Sequence, residues 1–235
     1  MSNQGLSLII GASGGIGAAL LERLQAVSAP GTVIGLSRTS RPGLDLLDEG
    51  SIANAAREIE AMARSQGLDL RQVIDATGLL HDGALQPERS LKQLNADHLA
   101  RLFAVNAIGP ALLMKYFLPL MPRRGRSIFA TLSARVGSIS DNRLGGWHGY
   151  RAAKAALNQL VRTAAIEQAR RNPDSICIAL HPGTVDTRLS APFAKSGLEL
   201  RSPHRAAVAL LTVMDGLDSH DSGGFRDQDG IAIPF

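Results

Sequence analysis

Short apolar runs alternate with longer amphipathic stretches along the 235 residues of this chain. An apolar run bounded by polar or glycine residues is typical of a strand buried in a parallel sheet, whereas apolar residues at every third or fourth position predict a helix packed on that sheet. The runs predict strands at 6–10, 32–36, 43–47, 71–76, 127–132 and 175–180, and a last strand with its tail in 224–235. The periodic stretches predict a helix from the first glycine turn to about 26 and further helices at 51–64, 99–118, 150–171 and 203–217.

This order of elements predicts an α/β fold, a doubly wound parallel sheet of about seven strands with helices on both faces. No linker, internal repeat or shift in composition divides the sequence, so we expect one domain over 1–235. The segment 188–201 is expected to be mobile. In such a sheet ligands bind beyond the carboxyl ends of the strands, which directs attention to the segments that follow each predicted strand.

A glycine-rich turn, 11–17, follows the first predicted strand and leads into a helix. Free backbone N–H groups and the positive end of the helix dipole at such a turn favour an anion such as a diphosphate. Gly11 allows the tight turn, Gly15 admits the pyrophosphate and Gly17 lets the helix pack on the strand. The turn therefore predicts a dinucleotide cofactor; the alternative is a glycine loop that only turns the chain.

The second predicted strand ends at Ser37 and Arg38, with no acidic residue beside them. In a dinucleotide-binding fold this position meets the adenosine ribose, where an acidic residue suits a free 2′-hydroxyl and an arginine suits a 2′-phosphate. Arg38 therefore predicts NADP(H) as the cofactor. The alternative is a solvated surface arginine.

Tyr150 and Lys154 lie four residues apart on one predicted helix, and so on the same face, one turn from each other. A free tyrosine titrates near 10, too high for ready proton exchange at neutral pH, and a nearby ammonium favours the phenolate. The pair predicts a general acid/base for work on a hydroxyl or a carbonyl. The alternative is two unrelated residues on a helix surface. Asn106 lies in another apolar helical stretch, where an asparagine usually has a specific hydrogen-bonding task.

Composition and charge exclude several other functions. The net charge is +4, but the arginines are scattered and aromatic residues make up only 4% of the chain, which argues against nucleic acid. We find no uninterrupted apolar run of the roughly 18 residues that a membrane span needs and no signal peptide, so we expect no membrane and a cytoplasmic location. The six histidines have no metal-ligand spacing, and no metal site is expected. No Gly-x-Ser-x-Gly elbow surrounds Ser133, which argues against a hydrolase.

Together these motifs resemble the short-chain dehydrogenase/reductase family, in its single-domain, Rossmann-type branch. The resemblance rests on the glycine turn 11–17, the segment 75–78 where the family often has Asn-Asn-Ala-Gly, Asn106, the Tyr150/Lys154 pair and Pro182-Gly183. The segments 136–147 and 150–158 are most similar to the C-factor and Sniffer-like carbonyl reductases.

The resemblance implies a role for each of these residues. Tyr150 would give a proton to the substrate carbonyl, Lys154 would lower its pKa and hold the nicotinamide ribose, and Asn106 would anchor a water in the proton relay. Asp45 would hold the adenine edge. The implied catalytic residues are Tyr150, Lys154, Asn106 and Ser133; the implied cofactor-binding residues are Gly11, Ser13, Gly15, Ile16, Gly17, Arg38, Asp45, Leu46, Ala76, Thr77, Gly78, Asn106, Tyr150, Lys154, Pro182, Gly183, Val185 and Thr187. A small carbonyl or alcohol substrate and a homodimer or homotetramer are also implied.

The chain departs from the family at the catalytic serine. Relatives usually place it three residues before the glycine that corresponds to Gly137, where this chain has Ala134. Ser133 precedes that position, and neighbouring side chains of a regular strand point to opposite faces, so Ser133 would need an irregular strand end to reach the substrate. We expect Ser133 to take the role, with Ser138 or a backbone N–H as alternatives. The departure also keeps open a different class of function, a dinucleotide-binding signalling or regulatory protein with little turnover.

Overall fold

The computed structural model describes residues 5–193 and 200–235. Its six strands form one sheet in the order β2-β1-β3-β4-β5-β6, with every neighbouring pair parallel. The strands are β1 (Gly5–Ile10), β2 (Val33–Leu36), β3 (Asp69–Asp75), β4 (Ser127–Leu132), β5 (Ser175–His181) and β6 (Phe225–Asp227). The predicted α/β class with a doubly wound parallel sheet is confirmed.

The strand predicted at 43–47 is not formed. Leu44 is buried and its N–H donates to the Ser37 carbonyl, which holds this segment in a loop beside the end of β2. Asp45 then accepts a hydrogen bond from the N–H of Leu47 at 3.0 Å, which closes a turn that a strand would not contain. The apolar residues of 43–47 therefore mark a buried loop, and β2 is the edge of the sheet in the described residues.

Helices cover both faces of the sheet. They are α1 (Gly15–Val27), α2 (Glu49–Gln66), α3 (Ala96–Phe103), α4 (Gly109–Phe117), α5 (His148–Arg171) and α6 (Pro203–Gly216). A hydrophobic core lies on each face of the sheet, and the side chains of β4 alternate between the two cores. Ile128 packs with α1 and α6, whereas Phe129 packs with α2, α4 and α5. By the same alternation Thr131 lies on the α5 face of the sheet.

The predicted helix at 99–118 is longer than expected, because α3, a π-turn (Ala104–Ile108), α4 and a 3₁₀ turn (Leu118–Leu120) follow one another without a break. By length and composition alone, this 25-residue helix is long and apolar enough to cross a membrane, which corrects the expectation that no stretch would be. Half of its most apolar window is buried in the protein, and α4 packs against α2 and α5. These contacts are those of a core helix.

The segment 188–201, which the sequence predicts to be mobile, is described only in part. Ala191–Phe193 form a 3₁₀ turn, with the hydroxyl of Ser190 hydrogen-bonded to Val185 and Thr187. Residues 194–199 lie outside the described residues.

Candidate active site

The glycine turn between β1 and α1 has the geometry of an anion cradle. Gly11 has φ +84°, a conformation that side chains rarely adopt, and a Cβ on Gly17 would collide with the Gly11 carbonyl oxygen. A Cβ on Gly15 would lie 2.9 Å from the methyl carbon of Thr187, so the 182–187 loop closes tightly on this turn. Gly14 is the N-cap of helix α1 and offers no side-chain hydrogen bond, and the first turn of the helix carries no acid. Its first N–H groups are thus available to a phosphate, and the turn fits a dinucleotide.

A cleft of about 580 Å³ extends from this turn along the carboxyl ends of β1, β2 and β3. Eight of the predicted cofactor residues line it: Gly11, Ser13, Arg38, Asp45, Leu46, Ala76, Thr77 and Gly78. Arg38 is exposed and its guanidinium forms no hydrogen bond or ion pair with another described residue. The side chain best suited to a phosphate is therefore free to meet one at the adenosine end of the cleft.

Asn106 joins the π-turn to the loop after β3. Its side-chain amide donates to the Leu79 carbonyl at 2.7 Å and accepts from the Leu79 N–H at 3.0 Å, and it is fully buried. The π-turn is closed by the N–H of Gly109, which donates to the carbonyl of Ala104. Asn106 therefore fixes the backbone that follows Gly78, which is the hydrogen-bonding task that an asparagine in an apolar helix indicates.

Gly78 lies where the predicted cofactor and catalytic residues converge. A Cβ at this position would lie 3.5 Å from Oδ1 of Asn106, 3.7 Å from Leu189 and 3.9 Å from Nζ of Lys154. The 75–78 loop, the π-turn and α5 thus meet at the carboxyl edge of the sheet, and the residues that the sequence predicts there do come together.

Tyr150 lies in an apolar cluster at the start of α5. Its side chain is 7% exposed and packs with Leu80, Leu85 and Leu102. Burial raises the pKa of Tyr150 above its ordinary value of 10. The hydroxyl forms no hydrogen bond with another described residue. In this environment the phenol is held in its protonated form.

Lys154 lies one turn further along α5 and is almost fully buried. Its Nζ donates to the Leu132 carbonyl at 2.7 Å and lies 5.9 Å from the centroid of the Tyr150 ring. Burial lowers the pKa of Lys154 to about 8, and the nearby Asp75 partly opposes that effect. The pKa of Tyr150 is therefore raised and not lowered as expected, because the burial of its hydroxyl dominates over the effect of the nearby ammonium.

The structure corrects the expectation that Ser133 leaves the regular strand and takes the role of the catalytic serine. Ser133 continues the regular ladder of β4, since its N–H donates to the Leu180 carbonyl, and no bulge turns its side chain. Its hydroxyl donates to Oδ1 of Asn158 at 2.7 Å, two helical turns beyond Tyr150. Ala134 instead packs on the Tyr150 cluster. Ser138 accepts from the N–H of Asp141 in the next turn and so is also used locally.

The 182–187 loop, which carries the predicted cofactor-binding residues Pro182, Gly183, Val185 and Thr187, runs from the end of β5 past the glycine turn. Val185 is buried and pairs with Arg201, while Thr187 contacts Gly15. Pro182 and Gly183 form the turn that leaves β5, with Gly183 at φ +78°. The loop is thus fixed at one end by the sheet and at the other by the glycine turn.

Two residues that the sequence did not indicate fix the start of α5. A Glu88 carboxylate oxygen accepts from the N–H of Gly149 at 3.2 Å, and its carbonyl accepts from the N–H of Trp147 at 2.5 Å. Trp147 has φ +52° and its ring meets those of Tyr150 and Phe193 edge to face. Glu88 belongs to no periodic pattern in the sequence, so no sequence signal pointed to its role. The two glycines before Trp147 were the one sequence signal for an unusual backbone conformation at the start of α5.

Asn158 is the third residue that the sequence analysis missed. It lies one turn after Lys154, is 1% exposed and holds Ser133. The signal was its position four residues beyond Lys154, which places it on the face of α5 turned toward the sheet.

Comparisons with known proteins agree with this architecture. The family model described as Enoyl-(Acyl carrier protein) reductase matches residues 17–211. Curated relatives include the C-signal protein of Myxococcus xanthus, 34% identical over 137 residues that cover 58% of this chain and 78% of that protein. Another is short-chain dehydrogenase srdF of Neurospora crassa, 31% identical over 211 residues, or 85% of this chain and 80% of that protein.

Solved structures show the same fold. The NADPH-bound carbonyl reductase from chicken fatty liver superimposes with a TM-score of 0.82 at 24% identity over 98% of both chains. The carbonyl reductase Sniffer of D. melanogaster superimposes with a TM-score of 0.83 at 21% identity, covering 98% of this chain and 99% of the other. The family model covers most of this chain, and both curated relatives exceed 30% identity over more than two thirds of their own length. The chain belongs to the short-chain dehydrogenase/reductase family.

Proposed function

We propose that this protein is an NADP(H)-dependent oxidoreductase that interconverts a carbonyl and a secondary alcohol. The observation that carries the proposal is the position of Lys154 and Tyr150, one helical turn apart, against the cleft that begins in the glycine cradle. Nζ of Lys154 lies beside Gly78, and Tyr150 packs on Leu80; Gly78 and Leu80 both line this cleft. A proton donor and a cation at that place suit a reaction in which negative charge develops on a carbonyl oxygen. The chicken liver carbonyl reductase with the same fold holds NADPH.

Each part of the candidate site has its own role in the proposed reaction. When bound, NADP(H) supplies the hydride. The amides of the glycine turn and Arg38 bind its phosphates, and the 75–78 and 182–187 loops line its path. Tyr150 gives its phenolic proton to the substrate oxygen, and its raised pKa favours the protonated form that reduction needs. The charge on Lys154 stabilises the phenolate that remains.

The test is a search for NADPH oxidation over a panel of aldehydes, ketones and α,β-unsaturated carbonyls. The matching family model is described as an enoyl reductase, so the panel includes α,β-unsaturated compounds. Their products show whether the C=C or the C=O bond is reduced. The matched control is Tyr150→Phe, which keeps the ring; its kcat should fall by about 10²–10⁴-fold with an unchanged Kd for NADPH. Wild-type rates in this variant would show that Tyr150 is not the donor.

A second candidate function is a dinucleotide-binding signalling or regulatory protein with little turnover. It is favoured by one observation: Ala134 packs at Tyr150 where a hydroxyl is expected, while Ser133 is held by Asn158. The Myxococcus xanthus relative is named C-signal. Tight NADPH binding without oxidation of any compound in the panel would support this function over the first.

We also infer a cytoplasmic location, a small-molecule substrate and a homodimer or homotetramer. Ile108 beside α4 and Ile166 on α5 are apolar side chains that are more than 45% exposed, and contact with a second copy of the chain would bury them. Analytical ultracentrifugation of the purified protein, with Ile108→Lys as the comparison, tests the oligomer: a monomeric wild type contradicts it.

A further inference from the structure

Asp75 is a buried carboxylate at the centre of the site that the proposed chemistry does not use. It is the last residue of β3 and fully buried. One oxygen accepts from the Thr77 hydroxyl at 2.5 Å and the Thr77 N–H at 3.0 Å, and the other accepts from the Thr131 hydroxyl at 2.7 Å. Burial raises the pKa of Asp75, and these three hydrogen bonds, together with the charge on Lys154, act against that effect and favour the ionised carboxylate.

The hydrogen bonds of Asp75 and Lys154 end on adjacent residues. Asp75 is held by Thr131, and Lys154 donates to the carbonyl of Leu132, the next residue of β4. On the other side, Thr77 holds Asp75 and the following Gly78 lies against Nζ of Lys154. The carboxylate and the ammonium are thus both buried and held by neighbouring residues of β4 and of the 75–78 loop, where a charge acts more strongly than it would in water.

Few other charges act in this region. Nζ of Lys154 lies near the ring of Tyr150 on α5, and its pKa responds to Asp75 at the end of β3. Asn106 of the π-turn, which like Lys154 lies close to Gly78, is uncharged. The 3₁₀ turn after β4 packs Gly137 against Lys154, and its Arg135 is paired with Asp141 and Asp227 instead. Among the described residues, Asp75 is the one charged group found to act on Lys154, and Lys154 the one found to act on Asp75.

We propose that Asp75 is a positioning residue whose buried negative charge keeps Lys154 protonated beside Tyr150. Lys154 is almost fully buried, and burial alone favours a neutral amine. A neutral amine would not stabilise the phenolate that forms when Tyr150 gives up its proton. The inference rests on the proposed role of Lys154 but is tested separately from it.

The first experiment measures Lys154 directly in the full chain without cofactor. The sequence has only four lysines, so labelling with ¹³C-lysine gives a simple NMR spectrum, and loss of a resonance in Lys154→Arg assigns it. We expect the titration midpoint of Lys154 to fall by about one unit in Asp75→Asn. Thr131→Ser is the matched control, because it changes the packing around Asp75 and keeps a hydroxyl that can donate to its carboxylate; the midpoint of Lys154 should stay close to that of the wild type.

Several results would overturn the inference. An unchanged midpoint in Asp75→Asn would mean that the charge of Asp75 does not act on Lys154, and an equal shift in Thr131→Ser would mean that repacking causes it. A second measurement needs no variant: the carboxyl ¹³C resonance of Asp75 in the wild type should be that of an ionised group at pH 7, and a protonated Asp75 contradicts the inference.

Turnover gives the functional readout. In Asp75→Asn the basic limb of the pH profile of kcat for carbonyl reduction should move to lower pH, with KM for the carbonyl compound nearly unchanged. An unmoved limb contradicts the positioning role. If the wild type reduces no carbonyl compound, the proposed function fails, while the lysine titration still decides whether Asp75 maintains the charge of Lys154.

Discussion

The hydroxyl of Ser133 donates to Oδ1 of Asn158 at 2.7 Å, and this bond turns the serine away from Tyr150. Both residues are at least 95% buried, so removing the hydroxyl leaves an unpaired acceptor in the core. We expect Ser133→Ala to lower the free energy of unfolding by about 1–3 kcal/mol. The kcat for carbonyl reduction should change by less than about threefold, because the hydroxyl does not face the reacting atoms.

Chemical denaturation and steady-state kinetics on the same preparation check both parts of this expectation. Ser138→Ala is the comparison, since Ser138 is equally buried and also bonded locally. A Ser133→Ala protein of normal stability with a kcat reduced by about 10²-fold would return the donor role to Ser133.

Ala134 occupies the position where the family resemblance leads us to expect a serine, which in the proposed reaction would be a second hydrogen-bond donor to the substrate oxygen. A donor of this kind is worth about 2.7–4 kcal/mol in other enzymes, and Ala134 already packs on the Tyr150 cluster. Ala134→Ser should therefore raise kcat for carbonyl reduction by about tenfold or more, with little change in the Kd of NADPH. Ala134→Gly is the control for backbone effects. Equal rates in Ala134→Ser and wild type would mean that a backbone N–H already serves as donor.

The fold was predictable because hydrophobic periodicity reports burial, and burial in a parallel sheet leaves continuous apolar runs. The run at 43–47 was misassigned for the same reason: Leu44 is as buried as a strand residue, but it is held by Ser37 in a loop. Periodicity measures which side chains are inside and says nothing of the backbone partners that define a strand.

Some features of the candidate site were also predictable from the sequence, and others were not. Tyr150, Lys154, Asn106 and the glycine turn were recognisable because local spacing on one element places each of them. The pKa of Tyr150 was not predictable, since it depends on Leu80, Leu85 and Leu102, which come from other segments. The roles of Asn158 and Glu88 also depend on contacts between distant parts of the sequence, such as the 61-residue separation of Glu88 and Gly149.

Arg38 is expected to select NADPH over NADH. A hydrogen-bonded contact between a guanidinium and a phosphate is worth roughly 1.5–3 kcal/mol, and Arg38 is exposed at the cleft. Arg38→Ala should therefore weaken the binding of NADPH by about 10- to 150-fold and leave the Kd of NADH nearly unchanged. Fluorescence titration of both cofactors measures this, with Arg57→Ala on α2 as a control for net charge. Identical titration curves for NADPH and NADH on the wild type would contradict the role of Arg38.

His181, the last residue of β5, links the stability of the fold to pH. Burial, with a smaller contribution from Arg135, lowers the pKa of His181 from 6.5 to about 4, and Asp227 opposes the shift. The unfolded chain therefore takes up this proton near pH 6.5 and the folded chain only near pH 4. The contribution of the neutral imidazole is complete above pH 6.5 and is lost as the pH falls toward 4, by up to about 3 kcal/mol in total.

This linkage predicts a specific change in acid sensitivity when His181 is replaced. Between pH 7 and pH 5, the free energy of unfolding of His181→Asn should fall by about 2 kcal/mol less than that of the wild type, since asparagine takes up no proton on unfolding. Urea denaturation at both pH values measures the difference. His220→Asn replaces an exposed histidine and should leave the acid sensitivity of the wild type unchanged. If His181→Asn and His220→Asn lose the same stability between the two pH values, the imidazole of His181 already takes up its proton in the folded protein near pH 6.5.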